Sequence, residues 1–159
     1  MIEYDDAGQE TGLLITETVN FLISRAKLAG PDAGAYDILW DNLPGLADGM
    51  DRDAQDRIWI ALIKDRTDMI TWMHANPWVK PLILRISAER LPVSGGTGFM
   101  VLSPKADEIL AYSHHDGSRV RDLSVVVAVG DKLFLSSFFK DNVGLHYVPM
   151  DNIGLSTTQ

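Results

Sequence analysis

Three residues that could do chemistry stand side by side at His114-His115-Asp116, and His146 could join them from a strand. Imidazole and carboxylate groups are usual zinc ligands and usual general acids and bases. Geometry argues against one shared ion, because adjacent residues on an extended strand face opposite sides. The helical spacing of an H-E-x-x-H site is also absent. The expectation here is a polar hairpin tip with no metal and no cofactor. A small enzyme using His114, His115 and Asp116 is an alternative function.

Asp48, Asp51, Asp53 and Asp56 superficially suggest a calcium loop. Counted from Asp51, the place of the required Gly is taken by Asp56 and that of the closing Glu by Leu62. Counting from Asp48 puts Met50 at the second ligand position. An EF-hand is therefore excluded, and the aspartates suit a helix N-terminus instead. Gly95-Gly96-Thr97-Gly98 is followed by the strand-like Phe99–Leu102, not by a helix and a Gly-Lys-Ser/Thr. That removes the phosphate-loop reading and leaves a hairpin loop. No Gly-x-Ser-x-Gly elbow selects a nucleophilic serine. Arg66 falls within an apolar stripe, where a guanidinium must find a partner. An ion pair or a snorkelling stem accounts for it. A ligand-sensing module with Arg66 as an anion-binding residue is a further alternative.

Charge is strongly segregated. Residues 1–76 hold fourteen acids and six bases, whereas residues 77–159 hold eight of each, so the net charge of −8 lies in the first half. A pI of about 4.8 argues against nucleic-acid binding, which rests on clustered Lys and Arg. An acidic face steers a basic partner as well as aiding solubility. Cysteine is absent, which excludes thiolate chemistry and disulfides. The acidic N-terminus is unlike a secretory signal. The apolar run Leu13–Ile23 is interrupted by Glu17 and Asn20 and falls short of the roughly 20 residues of a membrane span. A cytoplasmic protein without a membrane segment is expected.

The elements that must position these groups divide near Asn76-Pro77. Helical spacing predicts a helix over 12–29, ended by Gly30-Pro31, a short one over 33–41, and the longest over 51–75. Its stripe joins Ile58, Trp59, Leu62, Ile63, Met69, Ile70 and Met73. Beyond Pro77, strands are expected at Leu82–Ile86, Phe99–Leu102, Leu123–Val129, Lys132–Phe138 and Leu145–Val148, with Gly130-Asp131 as a hairpin turn. Pro104–Tyr112 is ambiguous and His114–Ser118 reads as a loop. Helices first and strands second imply one α+β domain, a helical layer (1–76) on a small antiparallel sheet (77–159). The leading functional expectation is a non-enzymatic binding protein. It would be an acidic inhibitor or immunity-like protein docking a basic protein through Asp41, Asp48, Asp51, Asp53, Asp56 and Trp78.

Overall fold

The computed structural model describes residues 1–83, 85, 96–137 and 145–153. It is built mainly of antiparallel strands in three sheets. The first joins β1 (Ile2–Tyr4), β2 (Glu10–Glu17), β3 (Leu22–Lys27) and β4 (Tyr36–Trp40) in that order. The second joins β5 (Gly45–Arg52), β6 (Ile58–Asp65), β7 (Thr97–Leu102) and β8 (Ile109–His115). The third joins β9 (Leu123–Val129), β10 (Lys132–Ser137) and β11 (Leu145–Pro149). Each sheet is an up-and-down meander of strands consecutive in sequence. The long connection after β6 carries a helix, α1 (Asp68–Ala75), then a 3-10 turn (Pro77–Val79) and a one-turn helix, α2 (Lys80–Ile83).

The middle sheet is packed on both faces. Ile58, Ile60, Leu62, Met100 and Leu102 meet Leu14, Phe21 and Ile23 of the first sheet's side. Trp59, Ala61, Phe99 and Val101 meet Leu123, Val126 and Leu133 of the third. The alternation is the period-2 rule of a strand, and burial on both faces explains why β6 and β7 read as unbroken apolar runs. Where β5 passes β9, the Ser124 hydroxyl donates to Asp48 Oδ2 at 2.6 Å.

This architecture overturns the expected helical layer. Residues 12–29 form β2, a 3-10 turn and β3, and residues 36–40 form β4. Of the helix expected over 51–75, only Asp68–Ala75 is helical. Its start is set by Thr67, whose hydroxyl accepts the Ile70 N–H at 3.2 Å. Ile58 and Trp59, assigned to one helical stripe, lie in different cores on opposite faces of β6. The reason is that a strand buried on both faces has no polar side, so its apolar residues also fall on helical spacing. The second-half expectations fare better. β9 and β10 pair as an antiparallel hairpin through Gly130, whose φ of 60° suits the turn. Phe99–Leu102 lies within β7, and Leu145–Val148 within β11. The ambiguous Pro104–Tyr112 splits into a turn and β8, which takes in His114 and His115 from the expected loop. Leu82 and Ile83, expected in a strand, belong to α2. Residues 84, 86 and 138, also assigned to strands, lie outside the described residues.

Candidate functional site

The two edges of the sheets differ. At one edge the strands are joined by short hairpins, around residues 5–9, 28–35, 53–57, 103–108 and 130–131. At the other edge lie the sheet-to-sheet connections after β4 and β8 and the long segment after β6 that carries α1. Long connections on a rigid scaffold are where binding groups collect.

At that connection-bearing edge, β6 ends in Asp65 and β8 ends in His114-His115, with β7 running between them. His114 stands opposite Gly98. Gly98 shares its face with Met100, so His114 points toward the first sheet's side. Asp65 reaches the same imidazole across β7, with His114 Nε2 at 2.8 and 3.0 Å from its two oxygens. The reach depends on Gly96, where a Cβ would stand 1.6 Å from Asp65 Oδ2. Gly96 therefore clears the space for the Asp65 carboxylate and is not a hairpin tip, while Gly98 lets β7 lie close against the β8 backbone at Ser113.

An ionised carboxylate only accepts, so in the neutral imidazole the contact puts the hydrogen on Nε2 and leaves Nδ1 with its lone pair. Among the described residues nothing hydrogen-bonds that Nδ1. The His114 side chain is 46% exposed. Two residues earlier on the same face of β8 stands Tyr112. Burial first, and the Asp65 charge second, push its phenol above the ordinary range, which keeps it a hydroxyl donor.

Arg66 follows directly. It lies just past β6 and not in a helical stripe. Its guanidinium is 4.5 Å from the centre of the Phe21 ring. It donates to Asn42 Oδ1 at 2.6 Å and to Thr71 Oγ1 at 3.3 Å. Phe21 and Asn42 are both left-handed, with φ of 55° and 56°. That conformation is rare for a bulky residue and common for Asn. Among the described residues no carboxylate pairs with Arg66, so its charge is held by neutral groups alone. Lys64, by contrast, is paired with Asp122 at 2.7 Å.

The remaining candidates scatter. His115 points to the opposite face from His114, as strand alternation requires, and accepts the Gly117 N–H on Nδ1 at 2.9 Å. Asp116 is exposed in the following turn. The backbone N–H of Ser118 lowers its pKa, with the Ser118 side chain adding to the effect. His146 lies on β11 opposite Leu135, in the third sheet. Among the described residues no three His, Asp or Glu side chains gather as a metal site.

The proposed docking aspartates divide between the edges. Asp41 follows β4 at the connection-bearing edge, while Asp53 and Asp56 form the β5–β6 hairpin at the other. Asp51 and Asp56 line a cavity of about 920 Å³ there, beside the Glu3–Arg25 ion pair. Asp53 is buried and accepts from Trp59 Nε1 at 2.8 Å and Arg57 Nε at 2.7 Å. None of Asp51, Asp53 and Asp56 caps a helix, since no helix begins there. Trp78 is 67% exposed beside α1, near the exposed Trp72 and Leu82. Sequence reasoning missed Asp65, Tyr112 and Asn42. The signal available was the pair of small positions at Gly96, just before β7, and Gly98, within it, which marks close approach of neighbours.

No family model matches the chain. It is 27% identical over 141 residues to Protein Strictosidine Synthase-like 10 of Arabidopsis thaliana, covering 84% of this chain and 37% of that protein. It is 30% identical over 84 residues to the Adipocyte plasma membrane-associated protein of Salmo salar, covering 50% of this chain and 20% of the relative. The likeness is distant. The chain spans between a fifth and just over a third of these curated relatives. Among the described residues no helix is long and apolar enough to cross a membrane.

Proposed function

We propose that this chain carries the acid–base site of a β-propeller hydrolase acting on a small ester with an anionic substituent. The observation that carries the reading is the Asp65–His114 contact at the connection-bearing edge, which leaves Nδ1 as a proton acceptor. Sequential meanders packed face to face suit propeller blades, and the relatives are β-propeller proteins. The plant relative is named for its likeness to a synthase, which favours chemistry over passive binding.

In this mechanism His114 Nδ1 takes a proton from water as the water oxygen bonds to the ester carbonyl carbon. The imidazolium then returns that proton to the leaving alkoxide as the acyl carbon–oxygen bond breaks, releasing the acid and the alcohol. Asp65 fixes the tautomer and stabilises the imidazolium that forms. Water is the nucleophile because no Ser or Thr hydroxyl bonds His114 among the described residues. Tyr112 donates toward the developing oxyanion, and Arg66 pairs with the anionic substituent. The test is a panel of small carboxylate-bearing esters assayed against pH. His114→Ala should lower kcat/KM by about 100-fold or more, as loss of a general base does. Arg66→Met should chiefly raise KM. No turnover by the wild type, or turnover indifferent to His114→Ala, would refute the proposal.

A second reading is docking of a basic protein partner, as an inhibitor or immunity-like protein would. The exposure of Trp72 and Trp78 together at α1 and its following turn favours it. Association that ignores both salt and Trp78→Ala would exclude it.

A further inference from the structure

The opposite face of β8 carries a second cavity, of about 410 Å³, between the middle and third sheets. Its size falls within the range of small-molecule pockets, roughly 300–1,000 Å³. Phe99, Leu135 and Val148 give it an apolar wall. Phe99 itself packs on the fully buried Trp59, with ring centroids 5.6 Å apart. Five polar side chains join that wall: Thr97, Ser113, His115, Arg119 and Asn152, of which Arg119 alone carries a fixed charge. Arg119 has no ion pair or hydrogen bond among the described residues, and no carboxylate lines the cavity. Directly opposite Leu135 on the β10–β11 ladder, His146 shares the face of Leu135 and Val148. It buries Nε2 without a hydrogen-bond partner among the described residues.

We infer that this inter-sheet cavity binds a small monocarboxylate with an apolar body, its carboxylate on Arg119 and its chain against Phe99, Leu135 and Val148. The guanidinium offers a planar fork of donors that matches a carboxylate, and among the described residues it has no anion to displace. The apolar wall supplies burial for a hydrocarbon chain, which a simple inorganic anion would leave unused. The site is separate from the Asp65–His114 pair, because His115 and His114 face opposite sides of β8. Its failure would therefore leave the hydrolase reading untouched.

The experiment is calorimetric titration of the full chain with octanoate, acetate and methyl octanoate, on the wild type and on Arg119→Gln. Arg119 is exposed, so the variant should fold as the wild type does, which circular dichroism checks. Octanoate should bind at one site, and Arg119→Gln should weaken it at least tenfold. Acetate and methyl octanoate should each bind at least tenfold more weakly than octanoate. Absence of octanoate binding, equal affinity in Arg119→Gln, or equal affinity for acetate or the ester would each overturn the inference.

Discussion

Replacing Asp53 by Ala should be among the most damaging single changes to this protein. Its side chain is only 3% exposed. Oδ1 accepts the backbone N–H groups of Gln55 at 3.0 Å and Arg57 at 2.9 Å. Oδ2 accepts Arg57 Nε at 2.7 Å and the Trp59 indole N–H at 2.8 Å. Removing the carboxylate leaves the Arg57 guanidinium, itself 10% exposed, without this anion, and strands a donor on fully buried Trp59. Breaking a buried pair by deleting one partner costs about 3–5 kcal/mol. For a chain of this size that lowers the melting temperature by about 6–20 °C. Arg57 keeps a bond from Nη2 to Gln55 Oε1, so the lower half of the range is the closer expectation. Asp53→Asn should cost less, because an amide oxygen still accepts while the charge is lost. Urea unfolding of wild type, Asp53→Asn and Asp53→Ala measures the series. A loss under about 1 kcal/mol in Asp53→Ala would show that the hairpin network does not hold the β5–β6 turn. It would restore Asp53 as a surface residue free to dock a partner.

Leu62→Ala should destabilise by about 2–5 kcal/mol in urea unfolding, since Leu62 is 3% exposed in the core between the first and middle sheets. Lys64→Ala should cost about 1–3 kcal/mol, not the near-zero of a solvated helix face, because it leaves the buried Asp122 carboxylate without its cation. Gly96→Ala should drive Asp65 off His114, so that the His114 ring nitrogen NMR shifts at a fixed pH match those of Asp65→Asn; shifts unchanged from the wild type would refute the dependence of the contact on Gly96. The Ser103 hydroxyl holds Asp107 below the ordinary carboxylate range. A depressed folded value favours the fold above the unfolded pKa and is lost as pH falls through the folded one. Ser103→Ala should therefore raise the Asp107 pKa, read by carboxyl NMR, and flatten the acid limb of stability at that site.

Part of this architecture is readable from local signals. Gly130-Asp131 lies between two alternating apolar runs, and that turn chemistry is enough to specify the β9–β10 hairpin. Strand alternation sets His114 and His115 on opposite faces, but only because β8 extends over a stretch that the sequence assigns to a loop. The first half misleads for a chemical reason. A carboxylate that accepts backbone N–H groups caps a helix or closes a tight turn equally well, and Asp53 does the second. The same ambiguity runs through β6, where residues buried on both faces satisfy helical and strand spacing together.

The sequence by itself determined the charge balance, the absence of thiol chemistry, the positions of the turns after Val129 and the stop at Pro77. These depend on residue identity or on contacts a few residues long. Only the tertiary structure decided that residues 10–65 fold as the five strands β2 to β6, because their periodicity is resolved by what covers each face. It also decided the site. Asp65 and His114 are 49 residues apart and belong to strands that never pair. They meet because β7 runs between them and the residue just before it, Gly96, leaves room for the Asp65 carboxylate.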